Sequence, residues 1–428
     1  MKGTALNFIA VAFNQGSTLI VNIIVARILL KQIFGEYAMV QSTLLTVVTL
    51  SQLAIGYTAS KYIAEYRSSD TERAGRIMGL CVLVSTMMAG VGALLLISLA
   101  PCLASNMLKA PHLASALMIG SGFVFFSTIN GYQTGALSGL EAYGSLAKTG
   151  VASGIVAVVA ISLGAWWGGL NGTIIGLSIS AFIRCAIHSR WLRLESRMHG
   201  IVPQYRGSLS QEKEIVFKFV LPAAIAQCYS PPMIWLANSF LVRQPGGYGE
   251  MAIYSAAFSL RTLVMFLPGV MHNVGFSVLN NEKGKGDVAR YQRIFRFNVL
   301  YIFFISLAGV LFVGILGRPI LQLFGRDFWG GNFILWFLLA SSLFDALAIA
   351  LYQYILASEK TWSQFLGIVI PREMFLVVAA YYLVRSYGGV GLAFAVLSAA
   401  LLGLIAHFIL VAVLYRKEKC MLSYSIVQ

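Results

Sequence analysis

Charge is what this sequence lacks most: Asp, Glu, Lys and Arg together make up 11% of its 428 residues, while 58% are hydrophobic and only 16 are carboxylates. A soluble globular domain carries roughly 25% charged residues, so no water-facing surface can be assembled from this composition. With a mean hydropathy of +0.78, the chain takes the bilayer as its solvent. Its apolar residues gather in blocks of twenty or more, enough at about 1.5 Å per helical residue to cross a hydrocarbon core of about 30 Å. Lipid offers backbone amides no partner, so the fold class is all-α and polytopic.

Other absences narrow the function. No GxxxxGK[ST] motif is present, and Gly284, Lys285 and Gly286 are not followed by Ser or Thr. Nothing therefore cradles ATP phosphates, and the chain is not a primary pump. The histidines (His112, His188, His199, His272, His407) are scattered without HxxxH or HExxH spacing, so no metal or other cofactor is expected. The cysteines (Cys81, Cys102, Cys185, Cys228, Cys420) stand alone and read as packing residues. A membrane glycosyltransferase or ligase remains the enzyme-class rival, although such enzymes usually carry a large extramembrane domain or loop with acidic residues and the outside loops here are short. The apolar stretch from Ala5 to about Leu30 has no small-residue cleavage site and reads as a retained first span.

Twelve spans are expected, near 5–30, 37–56, 76–100, 112–136, 146–166, 169–191, 215–241, 250–279, 297–317, 331–357, 361–384 and 389–415. If the N-terminus is cytoplasmic, twenty-one of the 31 Lys and Arg residues fall on inside connections and seven on the outside edge, leaving Arg184, Arg261 and Arg372 within spans. The positive-inside rule then puts both termini in the cytoplasm. Basic loops against an anionic leaflet also account for the net charge of +15 without nucleic acid.

The chain is written twice. Asn22 and Arg27 recur as Asn238 and Arg243, Gly35-Glu36 as Gly249-Glu250, Arg76 as Arg293 and Pro101 as Pro319. Six spans separate each pair, so the halves share one topology. The expected organisation is a six-helix lobe over 1–191, a basic linker over 192–213, a second six-helix lobe over 214–417 and a tail over 418–428, with the lobes around a central cavity.

Ionisable groups within spans cost about 2.5–3.5 kcal/mol each on insertion scales and mark candidate sites. Arg261, Asp345 and Arg372 are the leading ones. Glu373 is adjacent to Arg372, but helical neighbours point about 100° apart, so the two are not expected to pair. Pro371 favours a kink. In span one, Asn14, Thr18 and Asn22 fall on one face, and Arg27 follows. Asn130 and Gln227 complete the candidate cavity lining. The bland alternative is that Asp345 only pins helices together through Arg261 or Arg372, and that the amides join helices by hydrogen bonds. Arginines and amides with few carboxylates suit an anionic, sugar-bearing ligand. A drug or sodium antiporter would show carboxylates in its first lobe.

Val25-Ala-Arg-Ile-Leu-Leu, Phe34-Gly-Glu-Tyr-Ala and Ala136-Leu-Ser-Gly-Leu-Glu-Ala-Tyr-Gly resemble the polysaccharide transporter family of O-antigen flippases, within the superfamily that also holds multidrug extruders. The resemblance implies a monomeric inner-membrane flippase that moves undecaprenyl-diphosphate-linked oligosaccharide by alternating access. Its partners would be that substrate, membrane lipids and, as a candidate, the polysaccharide polymerase of the same pathway. The chain departs from the family in having Lys31-Gln32 where a Gly-Pro turn is common.

Overall fold

The computed structural model describes residues 2–204, 221–284, 288–358 and 360–425. Eight of its helices are long and apolar enough to cross a membrane. Three of these are each two spans fused end to end: Lys2–Gln52 breaks at Leu30, Tyr143–Met198 at Gly168 and Gly169, and Ile370–Ser425 at Gly388. A straight helix of 56 residues would be about 84 Å long, nearly three times the hydrocarbon core, so a reversal is obligatory. Span seven is a shorter pair, Leu221–Cys228 and Ser230–Val242, parted at Tyr229 just ahead of Pro231 and Pro232. All twelve expected spans are thus helical among the described residues. Span two is longer than expected, continuing past a break at Leu53 and Ala54, both at positive φ, into Ile55–Tyr66.

Two of the reversals are the same turn built twice. Gly169 has φ 54 and ψ −134, and Gly388 has φ 53 and ψ −132, a region that only glycine enters without strain. Three residues on, Gly172 lies so close to the carbonyl of Gly164 that a Cβ would overlap it, and Gly391 lies equally close to the carbonyl of Leu383. Trp166 and Trp167 are exposed beside the first turn and Tyr387 beside the second, as suits aromatic side chains at a membrane interface.

The chain divides into two compact units, Met1–Ala252 and Ile253–Gln428. Of the expected linker, 192–198 finishes the helix Tyr143–Met198. Residues 201–204 then cross span three, where Gln204 N donates to Gly75 O at 3.0 Å. The absent side chains of Gly75 and Gly79 leave room for that segment. Residues 205–213 of the linker lie outside the described residues. Of the expected tail, 418–425 continues the last helix.

Within the first unit, span seven packs on span two. Trp235 Nε1 donates to Thr43 Oγ1 at 2.8 Å, and Asn238 Nδ2 donates to Ser42 Oγ at 3.4 Å. The two copies of the Gly-Glu motif meet here, since Gly35 sits under the carbonyl of Tyr248 while Gly249 abuts Lys31 and Gln32. Lipid is as apolar as leucine, so helices in it are held by close approach and interhelical hydrogen bonds. Gly56, Gly131 and Gly135 supply that approach between spans two and four. In the second unit, Gly314 receives the ring of Trp336 and Gly317 the side chain of Leu335, which seats span nine against span ten.

Candidate functional site

Span ten, Asn332–Ala357, carries Ser341 and Asp345 one turn apart on one face. Arg261 of span eight grips that face with two nitrogens: Nε donates to Ser341 Oγ at 3.1 Å and Nη2 pairs with Asp345 Oδ2. Arg372 of span eleven takes the other carboxylate oxygen, Nη2 to Oδ1 at 2.8 Å. Asp345 therefore holds two guanidiniums, one on each oxygen. Ser341 Oγ donates its own hydrogen bond to Leu338 O at 2.7 Å, which leaves a lone pair for Arg261. The three leading candidates are thus brought together in one unit.

One expectation needs correcting. Arg372 and Glu373 do pair, with Nη1 at 3.6 Å from Oε1, because the guanidinium is long enough to turn back over its neighbour. The cluster of Arg261, Arg372, Asp345 and Glu373 is formally neutral as it stands. The kink expected at Pro371 takes the form of a π-helical turn, Phe365–Val369, directly before the proline. Span twelve makes room for Arg372 with Gly403, where a Cβ would come within 2.9 Å of Arg372 Cδ. Below it, His407 Nδ1 and Gly403 O are 2.7 Å apart.

The first unit distributes its candidates differently. Asn14 and Thr18 are exposed on span one, and Thr18 Oγ1 donates to Asn14 O at 3.0 Å. Asn22 is half-buried and Arg27 exposed, and both are engaged in contacts. Asn130 is buried away from the stripe in a network joining spans four, five and six. Its amide meets His188 Nδ1 and Gln133 Oε1, His188 Nε2 lies 2.9 Å from Thr149 Oγ1, and Gln133 Nε2 donates to Ser189 Oγ at 2.7 Å. Gln227 is exposed on the short helix Leu221–Cys228. A groove of about 280 Å³ between spans one and five is lined by Phe13, Gly16, Ser17, Ile20, Ile155, Val158 and Val159. Its wall is almost wholly apolar and offers a sugar nothing to bond.

Two residues have roles that the sequence hid. Arg243 caps span three, with Nε donating to Met107 O at 2.7 Å at the end of the π-helical turn Leu103–Met107. Arg184 lies past the middle of span six with its Nε enclosed and unbonded among the described residues. Sequence alone ranked it below Arg261 and Arg372, and only its surroundings set it apart.

Comparison with known proteins places this architecture among membrane transporters. An inward-facing multidrug resistance transporter of the MATE family in the MOP superfamily matches with a TM-score of 0.77 over 94% of this chain and 96% of its own, at 17% identity. A MOP superfamily transporter from Pyrococcus furiosus, whose structure is described as having a binding pocket of reverse polarity, matches with a TM-score of 0.67 over 97% and 96%, also at 17% identity. At such identity the likeness shows the fold alone.

The chain belongs to the polysaccharide biosynthesis protein family, which matches residues 1–272. It is 26% identical over 187 residues to the EPS I polysaccharide export inner membrane protein EpsE of Ralstonia nicotianae, over 43% of this chain and 42% of that relative. The matched region thus spans less than half of the relative's length. Family and fold are those of membrane transporters, not of enzymes.

Proposed function

We propose that this protein is a flippase that carries undecaprenyl-diphosphate-linked oligosaccharide, an O-antigen or other surface-polysaccharide repeat unit, from the cytoplasmic to the periplasmic leaflet by alternating access. The observation that carries the reading is the family match over residues 1–272 on a transporter fold. The charge distribution supports it. Among the described residues of the first unit, a charged side chain within span six is a cation, Arg184, which suits an anionic cargo better than a cationic drug. The protein works in the inner membrane with both termini cytoplasmic, as a monomer, and the polymerase of the same pathway is its candidate partner. Deletion in the native host should abolish the surface polysaccharide, and plasmid expression should restore it. Unchanged polysaccharide in a host without a second flippase contradicts the proposal.

A second reading, an ion-coupled small-molecule or drug antiporter, draws support from the likeness to a multidrug transporter. Fold alone does not carry function. Overexpression should then raise resistance to cationic drugs, and unchanged susceptibility removes this reading.

A further inference from the structure

Span seven opens the second copy of the repeat, yet the end of it that leads to Arg243 is fastened to the first copy. The compact unit Met1–Ala252 holds it together with the first six spans. Arg243 follows directly on the helix Ser230–Val242. Its Nε donates to Met107 O at 2.7 Å, and its Nη2 lies 3.4 Å from Asn106 O and 3.1 Å from Met107 Sδ. Five residues on, Tyr248 Oη donates to Leu108 O at 2.9 Å. Three successive carbonyls, of Asn106, Met107 and Leu108, thus receive two side chains from the connection between spans seven and eight. The same segment is tied to span two, where His112 Nε2 lies 3.2 Å from Glu36 Oε1.

These acceptors exist whether or not Arg243 reaches them. The last carbonyls of a helix have no partner one turn on and carry the negative end of its dipole, so they take a guanidinium or water alike. Arg243 is only half-buried, and a hydrogen bond within reach of water exchanges for one to water at small net cost. The backbones meet here without interlocking side chains, since Gly35 presents no Cβ to the carbonyl of Tyr248. The contact is specific in direction and readily undone.

The far end of the helix is built to bend. Span seven is parted at Tyr229, ahead of Pro231 and Pro232, and span two is broken at Leu53 and Ala54. The two breaks adjoin, because Cys228 Sγ lies 3.8 Å from Thr49 O, about one turn from Leu53. Ser230–Val242, 13 residues and about 20 Å long, is therefore an arm with a break at one end and a polar clasp at the other.

We propose that Arg243 and Tyr248 form a releasable latch on the end of span three, which holds the arm Ser230–Val242 in this conformation and lets it go in each transport cycle. Under the proposed topology the latch faces the periplasm. It does not depend on which cargo is carried, so its failure and that of the flipping role are separate results.

The test closes the latch chemically. Gln32→Cys and Gly249→Cys meet in the same contact, since a Cβ at Gly249 comes 3.5 Å from Gln32 Oε1 without overlap. Cys102, which is exposed, is changed to Ser in this background. A short bis-methanethiosulfonate joins the two thiols, and a reductant releases them. On the purified full-length protein, Arg243→Gln should lower the cross-link yield about fivefold or more and Tyr248→Phe about twofold. Arg243→Lys should lower it less than Arg243→Gln, and the control Arg190→Gln not at all. In the native host deleted for the wild-type gene, the double-cysteine protein should export polysaccharide, stop on cross-linking and resume with reductant.

Export that continues undiminished in fully cross-linked protein overturns the latch, because the contact then never opens. So does a yield unchanged by both Arg243→Gln and Tyr248→Phe, which leaves Arg243 as a helix cap alone. If Arg243→Gln fails to fold, as judged by melting temperature, Tyr248→Phe decides by itself. A wild-type protein that restores no polysaccharide contradicts the flipping role alone, and the yields on purified protein still decide the latch.

Discussion

Removing the Asp345 carboxylate leaves Arg261 and Arg372 facing each other across an empty position. In Asp345→Ala, Arg261 keeps Ser341 and Arg372 keeps Glu373 at 3.6 Å, but the charge they share is gone. Breaking a buried pair by deleting one partner costs about 3–5 kcal/mol. For a unit of this size each kcal/mol moves the melting temperature by about 2–4 °C, so the expected fall is roughly 6–20 °C. The assay is thermal unfolding of the detergent-solubilised full chain followed by size-exclusion fluorescence. Replacing Arg372 by Met in the same chain removes one orphaned cation and should recover part of the loss, so the two changes together cost less than their sum by about 1 kcal/mol or more. A melting temperature unchanged in Asp345→Ala, or strict additivity with Arg372→Met, refutes the account of a carboxylate holding two guanidiniums.

Other consequences are as direct. Gly169→Ala and Gly388→Ala place a Cβ at φ near +54, and each should lower stability by about 1–3 kcal/mol, to a similar degree because the two turns match. Gly172→Val drives its side chain into the carbonyl of Gly164 and should abolish recovery of folded protein, as judged by monodisperse elution. Gly75→Val displaces the Val202 carbonyl, so the Gln204 amide, bonded to Gly75 O, should exchange with deuterium at least tenfold faster. Cys102 is exposed at the end of span three proposed to face the periplasm, while Cys81 and Cys185 are buried. A membrane-impermeant maleimide applied from the periplasm should label Cys102 alone among these three, and labelling only from the cytoplasmic side would reverse the assigned orientation.

How far the sequence could be read depended on rarity. Charges inside apolar runs are few, so Arg261, Asp345 and Arg372 stood out before any contact was known. Their grouping did not, because spans eight, ten and eleven meet only in three dimensions. The adjacency of Arg372 and Glu373 misled, since helical angle was weighed and side-chain reach was not. Glycines at 168–172 marked a tight turn, and the reversal lies there. The break at Leu53 and Ala54 had no such marker, because neither residue favours positive φ. Asn130 and Gln133 carry the spacing of a lining stripe, yet their side chains close a buried network. Spacing defines a face of a helix but not what that face meets. Arg184 escaped for the opposite reason, since its distinction is an enclosed Nε left unbonded among the described residues, and no linear pattern records that.

The account rests on movement of a diphosphate-linked oligosaccharide between leaflets. The decisive measurement is the leaflet distribution of the undecaprenyl-linked oligosaccharide in spheroplasts depleted of this protein, read with a sugar-modifying probe confined to the outer face. The account predicts that the oligosaccharide accumulates out of the probe's reach and becomes accessible when the protein is restored. Normal access to the probe after depletion, with no redundant flippase present, would contradict it.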